Sequence, residues 1–208
     1  HLESHRVEAG WDDHVGAALA RLDKLEVHRP HRALVLVDDR LDVAAALGYG
    51  DADDLMAAVS QAARTVAWIT DAVLHRMHLR STRRRWRSKV RDMGHGIRIV
   101  DETLLLEEDA AVRDDPVLPL RVAHVAARED VFIERSVLDR LADDSPHMPD
   151  PWPEEAREVL VDLLLLGHES IRTLEALDQV DLLSRILPEW APNRSRPQRN
   201  AYHRYTVD

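Results

Sequence analysis

The sequence of 208 residues contains no cysteine, and this absence excludes three kinds of chemistry at once. Disulfide bonds, zinc sites built on thiolates and a cysteine nucleophile all require the missing side chain. Because proteins of reducing compartments do not depend on disulfide bonds, we expect a cytoplasmic protein.

Long apolar runs and glycine are also scarce. The apolar stretch from Val159 to Leu166 is interrupted by Asp162 and is far shorter than the roughly 20 residues that cross a bilayer, so we expect no membrane span. Glycine accounts for only 7 residues, while alanine, leucine, arginine and the acidic residues abound, which favours helices over strands. With 45% hydrophobic residues the chain can bury a core, and we predict a mainly α fold.

Several active-site signatures are missing as well. The sequence has no Gly-Ser dipeptide, no Gly-x-Ser-x-Gly motif of hydrolases, no Gly-x-x-x-x-Gly-Lys phosphate loop and no His-Asp dipeptide. The Gly-x-Ser-x-Gly and phosphate-loop motifs place a nucleophile or a bound phosphate at a helix start, and the His-Asp dipeptide is the core of a metal phosphohydrolase signature. The sequence therefore offers no direct signature of these enzyme classes.

Apolar residues recur at intervals of three and four over much of the chain, which predicts amphipathic helices. We predict them over residues 15–27, 42–47, 53–78, 118–127, 136–141 and 153–166, with one or two more over 174–187. Residues 32–37 are apolar but too few to show a period, and they fit either a buried strand or a helix start. Residues 97–100 and 103–106 flank Asp101-Glu102 and predict one small β-hairpin.

The predicted helix over 53–78 is the longest, and both of its ends carry signals. Asp51, Asp53 and Asp54 lie at its start, where carboxylates accept the free amide protons and favour the positive end of the helix dipole. Arg76 and Arg80 lie at its opposite end. The Asp51-Ala-Asp53 pair also has the spacing of the magnesium-binding acids of nucleotidyltransferases, but those acids lie on a strand behind a Gly-Ser loop, so capping is favoured.

Basic residues are concentrated in one stretch of a chain whose formal charge is -10. No acidic residue interrupts the sequence from Arg76 to Arg91. Its candidate anion-binding residues are Arg83, Arg84, Arg85 and Arg87, and Trp86 among them is suited to stacking on a base. A helical module that binds nucleic acid or an acidic partner is therefore an alternative function. Because the net charge is negative and no nucleic-acid motif accompanies the stretch, a solvated or partner-facing linker is favoured and nucleic acid is an unlikely partner.

The 12 histidines raise the question of a metal site. The pairs with helical spacing are His75 with His78 and His28 with His31, the second of which is interrupted by Pro30. A zinc site needs three or four converging ligands, and neither pair has a His-Glu-x-x-His context. We expect solvated or helix-end histidines and no metal bound by this chain.

The C-terminal segment is polar and rich in arginine, yet it carries the aromatic rings of Trp190, Tyr202 and Tyr205. Pro188-Glu189-Trp190 and the run from Arg194 to Asp208 resemble the entrance to the HD domain of the bifunctional PII uridylyltransferase/uridylyl-removing enzymes, in their actinobacterial form. Other segments are similar to the helical region that follows the nucleotidyltransferase domain of that family: Val43–Tyr49, Asp54–Met56, Ala62–Thr65, Pro151–Pro153 and Glu175–Gln179. The resemblance covers residues 33–208.

The resemblance implies part of a nitrogen-status sensor. In that family a nucleotidyltransferase domain transfers UMP from UTP to a tyrosine of the PII signal protein, an HD domain hydrolyses the UMP off again, and ACT domains sense glutamine. The full enzyme uses magnesium or manganese. The transferase acids are expected before His1 and the first metal-binding histidine of the HD motif after Asp208, so the resemblance implies a helical linker without a complete active site or a cofactor of its own.

The resemblance also implies a division of the chain into four segments. Residues 1–30 are the divergent end of a preceding domain or added sequence, residues 31–92 the helical domain, residues 93–186 the hairpin with a helical lead-in, and residues 187–208 the HD entrance. The family-motif positions are Glu189, Gln198, His203, Tyr205 and Asp208. They are expected to border the hydrolase pocket, and none is assigned a catalytic role.

Overall fold

The structure, a computed structural model, describes residues 39–82 and 89–196. The described residues fall into two compact units, one of residues 39–63 with 195–196 and one of residues 64–82 with 89–194. None of the helices in these ranges combines the length and the apolar character that a membrane span requires. The predictions for residues 15–27 and 32–37 lie outside the described ranges.

The first unit contains helix α1 (Asp39–Leu47) and the start of helix α2 (Ala52–Thr82). Its small core consists of Val43, Ala44 and Leu55, with Leu47 packed against them. The short helix predicted over 42–47 is confirmed, but it begins three residues earlier, so Asp42 lies inside α1. Gly48 ends α1 with a φ of 85°, a left-handed conformation that favours glycine.

Helix α2 confirms the long helix predicted over 53–78 and extends it at both ends. Asp51 Oδ1 accepts the backbone N–H of Asp54 at 2.8 Å, so this carboxylate caps the helix as expected. Asp53 and Asp54 occupy the first turn, where negative charge meets the positive end of the dipole.

The second unit contains a four-stranded sheet in the order β1-β2-β3-β4. The strands are β1 (Val90–Gly94), β2 (Ile97–Val100), β3 (Thr103–Leu106) and β4 (Phe132–Ile133). Strands β2 and β3 form the predicted hairpin, while β1 pairs antiparallel with β2 and β4 pairs parallel with β3. The sequence did not predict β1, which continues the basic stretch, or β4, which is too short to show a period.

The remaining helices of this unit follow the predicted positions. They are α3 (Leu118–Arg128), α4 (Arg135–Asp144), α5 (Glu154–Leu165), α6 (Ile171–Asp178) and α7 (Leu182–Ile186). A first 3-10 turn (Gly167–Ser170) precedes α6, and a second 3-10 turn (Pro188–Asn193) follows α7. The segment predicted to hold one or two helices therefore holds the end of α6 and all of α7.

The core of the second unit lies between the sheet and the helices. Helix α3 is central because eight of its residues are buried, among them Val122 and Ala126. Val122 and Ala126 pack in one cluster with Ile99 and Leu104, which face each other across β2 and β3 and are both fully buried. Leu177 of α6 belongs to the same cluster, so the core fixes the helix that carries the polar residues described next.

Candidate functional site

Asp178 at the end of α6 is a fully buried carboxylate with three side-chain donors around it. Its Oδ1 accepts the indole N–H of Trp190 at 3.0 Å. Its Oδ2 accepts Arg64 Nη2 at 2.7 Å and Arg194 Nε at 3.0 Å. A buried negative charge is tolerated only when it is paired and hydrogen-bonded, and both oxygens meet that condition here.

Arg64 of α2 connects Asp178 to a second carboxylate. It binds Glu175 through two nitrogens, with Nε at 3.1 Å from both carboxylate oxygens and Nη2 at 2.6 Å from Oε2. Glu175 in turn accepts Gln179 Nε2 at 2.7 Å, and the amide oxygen of Gln179 accepts the Thr65 hydroxyl at 3.1 Å. The planar guanidinium thereby fixes α2 against α6 in both distance and orientation.

Arg194 holds the end of the second 3-10 turn onto α6. Besides its bond to the Asp178 carboxylate, its Nη2 donates to the Asp178 carbonyl at 2.6 Å, and its Nη1 pairs with Asp181. Asp181, which has a φ of 59°, is the N-cap residue that precedes α7. We call the six residues Arg64, Glu175, Asp178, Gln179, Trp190 and Arg194 the Asp178 cluster.

The Asp178 cluster joins α2 to α6 and the second 3-10 turn, which lie more than a hundred residues further along the chain. Within it the guanidinium groups and carboxylates bind one another, and it contains no serine, cysteine or histidine to serve as a nucleophile or proton carrier. Its chemistry therefore suits positioning of α2, α6 and the second 3-10 turn rather than a bond-breaking step.

A cleft of about 360 Å3 opens beside Arg64 and Glu175. Trp68 and Phe132 contribute apolar walls, and Arg172 lies at its edge with an ion pair to Asp130 at 2.8 Å. The guanidinium of Arg135 stacks over the Trp68 ring at 4.7 Å from the ring centroid.

His75 lies in a second cleft of about 230 Å3, where Phe132 again forms part of the wall. Its ring stacks on Phe132 with the centroids 4.7 Å apart, and its Nε2 is 2.9 Å from the Thr103 hydroxyl. Burial lowers the pKa of His75, and the positive charges of Arg172 and His78 lower it further against the opposing effect of Glu102. The lowered pKa favours the neutral form of the His75 ring, which suits its packing against Phe132.

The carboxylates and histidines of the described ranges do not gather into a metal site. No group of three or more His, Asp or Glu residues in residues 39–82 and 89–196 has the arrangement that could hold a metal ion. Asp51 Oδ1 accepts the backbone N–H of Asp54 in the first turn of α2, which fits capping and not the magnesium role that the Asp51–Asp53 spacing suggests.

The family-motif positions are only partly described. Glu189 lies exposed in the second 3-10 turn, where its carbonyl accepts Asn193 Nδ2 at 3.0 Å and its side chain takes no part in the Asp178 cluster. Gln198, His203, Tyr205 and Asp208 lie outside the described residues, as do the candidate anion-binding residues Arg83, Arg84, Arg85 and Arg87.

Arg91, at the C-terminal end of the basic stretch, is engaged within the fold. Arg91 of β1 forms an ion pair with Glu129 after α3, and the hydrogen bond from Arg91 lowers the pKa of the Glu129 carboxyl. This arginine therefore contributes to the contact between the sheet and α3.

The residues of the Asp178 cluster were not predicted as a site. They lie, however, in the quoted motif segments: Arg64 in Ala62–Thr65, three members in Glu175–Gln179, Trp190 in Pro188–Trp190, and Arg194 at the start of the terminal run. The available signals were Arg64 among the periodic apolar residues of α2 and Asp178 beside Leu177 at the end of α6. Periodicity alone does not show which of these residues meet.

Comparison with known proteins finds several relatives that share one name. The chain is 37% identical over 202 residues to the "Bifunctional uridylyltransferase/uridylyl-removing enzyme" of Mycobacterium tuberculosis, an alignment that covers 93% of this chain and 25% of that protein. The protein of the same name from Streptomyces coelicolor is 37% identical over 216 residues, covering 93% of this chain and 26% of the relative. The chain thus spans about a quarter of the length of these relatives. No family model and no solved structure matches it.

Proposed function

This chain is related to the bifunctional uridylyltransferase/uridylyl-removing enzymes, and we propose that it forms the helical region that connects the two active sites of such an enzyme. The whole enzyme uridylylates the PII signal protein with UTP and removes the UMP by hydrolysis in an HD domain. The chain itself contributes no complete active site. It holds the two catalytic regions in a fixed relation and offers surface to PII.

The observation that supports this role is the convergence of separate motif segments on the Asp178 cluster. The segment around Arg64 lies more than a hundred residues before the segments around Asp178 and Trp190. Direct hydrogen bonds to the Asp178 carboxylate connect all three segments. Arg194 is bonded into the same cluster and immediately precedes the rest of the terminal motif. A rigid ionic contact at this point is what a positioning element requires.

The same proposal assigns the cofactors and partners of the whole enzyme. UTP and PII are the substrates, glutamine is the regulatory ligand, and magnesium or manganese serves the catalytic domains. None of these metals is assigned to this chain, and the enzyme is proposed to act in the cytoplasm.

The first test is an assay of the 208-residue chain with PII, radiolabelled UTP and magnesium. We expect no label on PII and no release of UMP from uridylylated PII, because the proposal places both sets of catalytic groups elsewhere. Either activity from this chain alone would contradict the proposal.

A second experiment tests whether this chain can replace the matching region of a complete enzyme. The matching quarter of the Streptomyces coelicolor enzyme is replaced by this chain, and both reactions are assayed. If the chain is the connecting region, the chimera retains both reactions. A chimera that folds but has lost both would count against the assignment.

A further inference from the structure

The sheet of the second unit packs one face against α3 and turns its other face away from that core. Because side chains alternate along a strand, the residues between the buried ones lie on this outer face. They are Val100, Thr103 and Leu105, each partly buried. Helix α2 covers part of the outer face through His75, which contacts Thr103 and stacks on Phe132. The cleft of about 230 Å3 that contains His75 lies between α2 and this outer face.

The walls of this cleft are mainly apolar. Four apolar side chains line it, one from α2 and three from the sheet: Leu79, Val100, Leu105 and Phe132. Its volume is below the roughly 300–1,000 Å3 of sites for drug-sized ligands, so it suits a smaller molecule. Such walls favour a ligand with an apolar body, because a polar group buried against them without a hydrogen-bond partner is costly.

Ionic side chains line the same cleft, namely Arg76, Glu134 and Arg135. The charge of Arg135 is balanced by Asp139, whose Oδ1 lies 2.7 Å from its Nε. Arg76 and Glu134 do not pair with each other, and neither forms an ion pair with any residue in the described ranges 39–82 and 89–196. The cleft therefore offers a ligand one guanidinium and one carboxylate.

These two groups of opposite charge define the charge of the matching ligand. A simple organic anion would pair with Arg76 and leave the Glu134 carboxylate without a counter-charge, and an organic cation would do the reverse. A zwitterion satisfies both groups. Its carboxylate matches the planar guanidinium, and its ammonium donates hydrogen bonds to the glutamate oxygens.

We propose that the cleft between α2 and the outer face of the sheet binds a free α-amino acid with an apolar side chain. Arg76 binds the carboxylate of the ligand and Glu134 binds its ammonium group. The apolar side chain of the ligand contacts Val100, Leu105 and Phe132. The inference uses only the groups that line the cleft, so it holds or fails independently of the connecting role.

The first measurement is calorimetric titration of the 208-residue chain with a series of matched ligands. We expect L-leucine to bind with a dissociation constant below about 1 mM. The compound 4-methylpentanoate lacks the ammonium group, leucinamide lacks the carboxylate, and glutamine replaces the apolar side chain by a polar one. Each of the three is expected to bind at least about 10-fold more weakly than leucine, because each leaves one group of the cleft or of the ligand unmatched.

The second measurement assigns the binding to the cleft. Arg76→Gln and Glu134→Gln are each expected to raise the dissociation constant of leucine at least about 10-fold, with an unchanged circular dichroism spectrum. The matched controls are Arg157→Gln and Glu158→Gln, at exposed residues of α5, and both are expected to bind leucine as the wild-type chain does.

The ligand series uses the wild-type chain, so its result does not depend on how the variants fold. No binding of leucine at concentrations up to about 10 mM overturns the proposal. Equal binding of leucine and glutamine also overturns it, because the apolar walls would then select nothing. Binding that is unchanged in both cleft variants places the ligand elsewhere and overturns the proposal as well.

Discussion

At the scale of single residues, Asp178 is the member of the cluster whose charge is fully removed from water. Its charge is fully buried, and Arg64, Arg194 and the indole of Trp190 offset the desolvation cost. Such a group adds little net stability compared with an apolar core, but it fixes which residues meet. Removing one partner leaves the others buried without their counter-charge.

The substitution Asp178→Asn tests this at nearly constant shape. It removes the charge and turns an amide N–H toward the guanidinium groups, so we expect the free energy of unfolding to fall by about 3–5 kcal/mol. The measurement is urea unfolding followed by tryptophan fluorescence. Asp143→Asn, at an exposed carboxylate of α4, is the matched control and is expected to change stability by no more than about 0.5 kcal/mol. A loss below about 1 kcal/mol for Asp178→Asn would show that the buried charge is not balanced as described.

The lowered pKa of His75 makes the free energy of unfolding depend on pH. Because burial lowers its pKa in the folded state, the neutral ring is favoured by folding and its contribution is complete above the unfolded value near 6.5. The contribution is lost as the pH falls through the lowered pKa, when the ring is protonated against Phe132. We expect the stability of the wild-type chain to fall more steeply below pH 6.5 than that of His75→Gln. Parallel pH profiles for the two proteins would contradict this account of the ring.

At the scale of elements, the turn between β1 and β2 shows how two glycines differ. Gly94 and Gly96 both have positive φ, at 81° and 75°. A Cβ on residue 94 would meet nothing within 4 Å, whereas a Cβ on residue 96 would lie 2.6 Å from the Cβ of Ala110. The second glycine is therefore required by packing as well as by conformation.

The substitutions Gly94→Ala and Gly96→Ala separate the cost of the backbone conformation from the cost of packing against Ala110. We expect Gly94→Ala to cost about 1 kcal/mol because of its backbone conformation, and Gly96→Ala to cost at least about 1 kcal/mol more because Ala110 must move. Thermal unfolding by calorimetry measures both. Equal losses would mean that the loop at Ala110 adjusts freely.

The elements were predicted better than their contacts. The long helix, the hairpin and the helix after Pro153 carry periodic or capping signals in the local sequence, and each is observed. Strand β4 has only two residues and forms through its pairing with β3. The local sequence therefore contains no pattern that predicts this strand. Likewise, the partners of Arg64 lie 111 and 114 residues away, and only the folded chain brings them together.

At the scale of the whole molecule, the Asp178 cluster joins helix α2, helix α6 and the second 3-10 turn of the second unit. The chain spans about a quarter of the length of the relatives that it matches, so the proposed connecting role has to be tested in a protein of full length.

The most direct test of the central claim is an assay of both reactions in the chimera that carries Asp178→Asn. If the Asp178 cluster positions the two catalytic regions, uridylylation and UMP removal both fall at least about 10-fold, while the chimera with Asp143→Asn keeps both rates. Circular dichroism confirms that the chimeras are folded. Full retention of both reactions with Asp178→Asn would contradict the account.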